Sequence, residues 1–119
     1  MRVLMVPVVL AGVMACGQSD EPSERAMRTA FEARLAAHVR AALDFVAETS
    51  GPEGVTKVRE AGTDRFEVRV FRKLDCLRSE GGHVCDFAID LAVVNGSIRQ
   101  TLKGRFTSGR NGLSFAQET

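Results

Sequence analysis

Two runs of alternating apolar and polar residues meet at Asn95-Gly96, and this feature narrows the fold more than any other in the chain. Before it, Cys85, Phe87, Ile89, Leu91 and Val93 fall on one face of an extended strand, with Asp86, Ala88 and Asp90 on the other. After it, Ile98, Leu102 and Phe106 share a face, and Arg99, Thr101, Lys103 and Arg105 share the opposite one. Side chains alternate across a strand, so this period predicts two half-buried strands. Asn-Gly suits a type I′ turn, in which both central residues take positive φ. A two-residue turn there sets Val93 opposite Ile98, Ile89 opposite Leu102 and Cys85 opposite Phe106, with Asp86 facing Arg105 and Asp90 facing Thr101. Gly104 then lies opposite Phe87, whose ring covers the missing side chain.

Other strands flank this hairpin. Phe66, Val68, Val70 and Leu74 are expected on one face, with Glu67, Arg69, Phe71 and Lys73 on the other. A loop through Gly109 and Gly112 leads to a short last strand carrying Leu113 and Phe115, and Val55–Ala61 reads as a weak, charged edge strand. Upstream, the period changes. Met27, Phe31, Leu35, Val39, Leu43 and Val46 recur at steps of four and three, the stripe of an amphipathic helix that Ala30, Ala42 and Phe45 widen. Pro22 suits its first turn, Asp20, Glu21 and Glu24 complement its positive end, and Gly51-Pro52 stops it. The expected fold is α+β, one long N-terminal amphipathic helix on a 4–5-stranded antiparallel meander, a single domain over residues 22–119. This layout resembles cystatin-like folds.

The chain opens with Arg2, an apolar run from Val3 to Met14, and Ala15 before Cys16, the pattern of a secretory signal over residues 1–15. The run is too short for a spanning helix, which takes ~20 apolar residues. Val13-Met14-Ala15-Cys16 resembles the lipobox of bacterial lipoproteins. That resemblance implies cleavage before Cys16, a diacylglyceryl group on its thiol and an acyl chain such as palmitate on its new amine. Gly17 in place of Asp favours the outer over the inner membrane in such proteins. Residues 16–21 then serve as lipidated cysteine and polar tether. If Cys16 takes the lipid, the other two of the three cysteines, Cys76 and Cys85, are left to pair in an oxidising compartment. Their pairing sets Leu74 opposite Phe87, Val70 opposite Leu91 and Val68 opposite Val93, and closes a loop from Leu77 to Val84.

Asp75-Cys76, Gly81-Gly82-His83-Val84-Cys85-Asp86-Phe87 and Gly104-Arg105-Phe106 resemble the corresponding segments of small uncharacterised proteobacterial lipoproteins. Where those relatives often end in Gly-Trp, this chain has Gly112-Leu113. The resemblance implies a lipid-anchored envelope protein and brings no activity with it.

Loss of Arg2 with the signal leaves 15 basic residues against 15 acidic ones, which argues against nucleic acid as a partner. The chain has no Trp and no Tyr, the usual anchors of a large binding hot spot. His38 lies beside the helical stripe without an orienting carboxylate or nucleophile at a suitable spacing. His83, near Asp75, Glu80 and Asp86, is the nearest approach to a metal ligand, but zinc takes several His or Cys ligands at set spacings. Asp86 and Asp90 share a sheet face with Arg69, Lys73 and Arg105 expected beside them, a solvated charge ladder more than an acid–base pair. No metal, cofactor or catalytic residue is therefore assigned. Arg99, Lys103, Arg105 and Arg110 form a candidate docking patch for anionic lipid, lipopolysaccharide or an acidic partner; cross-strand pairing favours instead a face neutralised by Asp86, Asp90 and Glu67 on neighbouring strands. The expected function is a non-catalytic binding or accessory module on the periplasmic side of the cell envelope. Inhibition of an envelope hydrolase or protease is the first alternative, although the Q-x-V-x-G hairpin of cystatins is absent. An enzyme with an unrecognised site is the second.

Overall fold

The structure, a computed structural model, describes residues 20–118; the signal segment, Cys16 and the first part of the tether lie outside the described residues. Helix α1 (Glu24–Ala61) precedes four strands, β1 (Glu67–Ser79), β2 (Gly82–Val93), β3 (Gly96–Gly109) and β4 (Gly112–Gln117). The strands form one antiparallel sheet in the order β1-β2-β3-β4. This is the expected α+β meander with a helix on one face, and it is consistent with the cystatin-like resemblance.

Ser23 caps α1, its hydroxyl accepting from the Ala26 N–H at 3.1 Å. Glu24 supplies the acid of the first turn. The helix does not end where Gly51-Pro52 predicts. Gly51 takes φ 67° and ψ −171°, which breaks the helical path, and a second helical segment then runs to Ala61. Val55–Ala61 is thus helix, not an edge strand. Proline opens a helix as readily as it stops one, because its fixed φ suits the first turn and its missing N–H is not needed there. Thr56 donates to the Pro52 carbonyl at 3.0 Å, so this β-branched residue is satisfied inside the helix. The bend brings Gly54 against Val46 and Ser50. Gly62, at φ 77°, ends the segment by donating to the Val58 and Arg59 carbonyls.

Hairpin β2–β3 keeps the expected alternation in a register two residues away, although Ile98, expected inward, is exposed. Val93 pairs with Gly96, Leu91 with Ile98, Phe87 with Leu102 and Cys85 with Gly104, so the turn residues are Val94 and Asn95. Gly96, at φ 143°, is the first residue of β3 and not part of the turn. On the outer face this register sets Asp90 opposite Arg99 and Asp86 opposite Lys103.

Strand β1 departs further. Its pairing with β2 shifts by one residue between Val68 and Val70, and again between Lys73 and Asp75. Each shift is a β-bulge that adds one unpaired residue and inverts the inward–outward alternation beyond it. Phe71 is consequently buried, while Val70 and Leu74, expected inside, are exposed. The Cys76–Cys85 disulfide is present and links directly facing residues with Cα atoms 4.0 Å apart. It closes no long loop: the strands continue to Ser79 and Gly82, and the turn is Glu80-Gly81.

Every element sends one phenylalanine into the core. Phe31 comes from α1, Phe71 from β1, Phe87 from β2, Phe106 from β3 and Phe115 from β4, all buried. The fully buried Phe87 stacks on Phe71 at 4.9 Å between ring centres and meets Phe31, Phe106 and Phe115 edge-on. Met27 and Ala30 complete the helical side, with Leu35 packed at its margin. The apolar stripe beyond Leu35 stays half-buried, and Phe45 is exposed. Phe115, not Phe87, covers Gly104: a Cβ there would lie 2.0 Å from the Phe115 ring.

Two consequences are measurable by urea denaturation. Gly104→Ala is expected to cost about 1–3 kcal/mol, because the Phe115 ring is hemmed in and must be displaced; unchanged stability would show the ring is not seated there. Replacing both Cys76 and Cys85 by Ala is expected to cost about 2–3 kcal/mol through the chain entropy regained by the unfolded state. A midpoint unmoved by that double substitution would contradict a closed disulfide.

Candidate functional site

The four cations of the candidate patch do not form one free basic surface. Arg99 pairs with Asp90 at 3.3 Å and Lys103 with Asp86 at 3.7 Å, each across the β2–β3 ladder. Arg105 donates to Glu118 at 3.2 Å, to the Ser79 hydroxyl at 3.2 Å and to the Glu80 carbonyl at 3.0 Å. Arg110 sits apart in the β3–β4 turn, exposed and in no ion pair among the described residues. The outer face is a ladder of opposite charges, the arrangement that stabilises neighbouring strands. An open hollow of about 450 Å³ lies on it between Arg72, Asp90, Arg99 and Thr101. Asp90 Oδ2 accepts from Arg99 there, and Oδ1 has no hydrogen-bond partner among the described residues.

The two histidines are far apart in character. His38 is exposed on α1, beside a hollow edged by Phe31, Leu35 and Phe115. His83 is 9% exposed, paired across the sheet with Arg78 and Phe106. It borders an open hollow of about 550 Å³ together with Asp20, Arg78, Glu80 and Ser108. Among the described residues no three His, Cys, Asp or Glu side chains cluster as metal ligands do.

A set of contacts at this same end was not foreseen. Asp20 and Glu21, assigned by sequence to a polar tether and the helix dipole, are docked on β1. Asp20 pairs with Arg78 at 2.5 Å. Glu21 accepts from Lys73 Nζ at 2.6 Å, and the Pro22 carbonyl accepts from the same ammonium at 2.7 Å. One turn on, the Glu24 carboxylate accepts from the Lys73 backbone N–H at 3.2 Å, and Arg28 donates to the Val68 carbonyl. Strand β1 is a sheet edge, and an edge leaves backbone donors and acceptors open. Glu24 and Arg28, four residues apart on one helix face, satisfy two of them. The spacing Glu21, Glu24, Arg28 is the visible trace of this function in the sequence; its target on β1 is not.

The Lys73 hydrogen bond, and then its charge, hold the Glu21 carboxyl below the ordinary value of 4.5, with a smaller contribution from His83. A carboxyl whose folded pKa is depressed contributes stability fully present above about pH 4.5 and lost as pH falls through its lower folded value. Lys73→Met is therefore expected to raise the Glu21 midpoint towards 4.5 in a carbon-detected NMR titration. A midpoint indifferent to that substitution would remove the contact.

No protein-family model, curated protein or solved structure matches this chain. Its functional reading therefore stands on its own residues.

Proposed function

We propose that the chain is a lipid-anchored bacterial envelope protein, a non-catalytic binding or accessory module held at a membrane surface and facing the periplasm. The observation that carries this reading is the segment Val13-Met14-Ala15-Cys16 behind a short, singly charged apolar leader. The cysteine inventory supports it. Of the three thiols in the chain, two are joined in the Cys76–Cys85 disulfide, and that bond suits an oxidising compartment. Cys16 is left as the odd thiol at the expected cleavage point. Among the described residues no helix is long and apolar enough to cross a membrane. Acyl chains on Cys16 would provide the attachment, at ~0.8 kcal/mol per buried methylene. Gly17 favours the outer membrane as its place.

The partner side of the proposal is a protein or envelope surface, not nucleic acid. Balanced charge and the paired cations of the outer sheet face support that choice.

Expression of the full chain in a Gram-negative host tests the anchor. The wild-type protein is expected in the membrane fraction, with an intact mass that begins at Cys16 and carries diacylglyceryl and acyl groups. Cys16→Ser is expected to lose both the added mass and the lipid attachment. A wild-type product with an unmodified Cys16 would sink the reading.

A further inference from the structure

The short chain between Cys16 and the first docked residue limits how the domain can stand on a membrane. Asp20 is bound to Arg78 and Glu21 to Lys73, so the chain is held to the domain from Asp20 onward. Three residues, Gly17 to Ser19, separate it from Cys16; an extended chain spans at most ~3.6 Å per step, about 14 Å over the four steps. Arg78 faces His83 one pair away from Ser79 and Gly82, beside the Glu80-Gly81 turn. The Arg110-Asn111 turn lies at the same end, because Phe106 pairs with His83 and β3 runs on to Gly109. The Val94-Asn95 turn lies at the other end of β2, a strand of 12 residues. At ~3.3 Å per residue that is about 40 Å, nearly three times the reach of the tether.

We propose that the end of the sheet formed by the Glu80-Gly81 and Arg110-Asn111 turns rests on the lipid headgroup layer, with the strands upright and the Val94-Asn95 turn directed away from the bilayer. The proposal depends on the lipid-anchor reading above and adds an orientation to it. Side chains at this end suit a headgroup layer. Leu77, on the outer face of β1, is 70% exposed, the highest value among the large apolar side chains of the described residues. Such a residue is at home at the boundary between headgroups and acyl chains. Arg110, in no ion pair among the described residues, is placed to meet anionic headgroups. The half of the sheet around Val94 and Ile98, both exposed, is then what the protein offers to the periplasmic space.

The test uses the lipidated full chain in vesicles of phosphatidylethanolamine and phosphatidylglycerol that contain a headgroup spin-labelled lipid. Asn111→Cys and Asn95→Cys, both at exposed turns, are labelled separately with a small fluorophore after mass spectrometry confirms that Cys76 and Cys85 remain joined. The label at position 111 is expected to be quenched several-fold more than the label at position 95. Equal quenching, or stronger quenching at position 95, in protein that floats with the vesicles and carries acyl groups would overturn the orientation and leave the anchor standing. Protein with an unmodified Cys16 that fails to float would overturn both.

Discussion

Phe87 is the point on which the domain is assembled. Its ring touches those of Phe31, Phe71, Phe106 and Phe115, so a single buried side chain contacts the helix and all three other strands. Aromatic rings prefer stacked or edge-on contacts, and such pairs add about 0.5–1.5 kcal/mol beyond area burial. A domain of this size buries a limited fraction of its surface. Concentrating its phenylalanines in one cluster gives it a core with geometry as well as volume. Other features follow from holding that cluster together. Gly104 lacks a side chain because the Phe115 ring occupies the space, and the bulges of β1 turn Phe71 inward while Cys76 stays opposite Cys85.

The helix covers this core with its first turns only. Met27, Ala30 and Phe31 are its buried residues, and the chain beyond Leu35 leaves the core behind. The N-terminal end of α1 is correspondingly well tied, by Ser23 at the cap and by Glu21, Glu24 and Arg28 on the edge of β1. Individual exposed ion pairs contribute little, about 0–1 kcal/mol each. Their value here is positional. They close an open sheet edge and fix the chain from Asp20 onward, within a few residues of the cysteine proposed to carry lipid, which links the fold to the way the domain would meet a membrane.

The balance of charge on the outer face has a related consequence. A sheet with one wet face needs polar residues there, and this one alternates their sign across β2 and β3. Cations that form a patch when read along β3 alone become rungs of a ladder once β2 lies beside them. Arg105, bound to Ser79, Glu80 and Glu118, joins β1, β3 and the C-terminal residues and so contributes to structure.

What the residue pattern determined by itself is local: the helix with its start near Pro22, the inward faces of β2 and β3, and the short β4. What only the tertiary structure decided is where each strand sits along its neighbour. Registers that differ by two residues present identical faces, so alternation could not separate a turn at Asn95-Gly96 from the one at Val94-Asn95. Bulges at Arg69 and Leu74 invert the alternation for reasons that lie on β2 and in the aromatic cluster, which is why Phe71 read as outward and Val70 as inward. Helix after Pro52 and strand before Gly62 were equally compatible with a β-branched, charged segment, and the bend at Gly51 decided between them. The contacts of Asp20 and Glu21 required β1 to arrive from more than fifty residues away. Side-chain periodicity says which way a residue points; long-range packing alone says what it meets there.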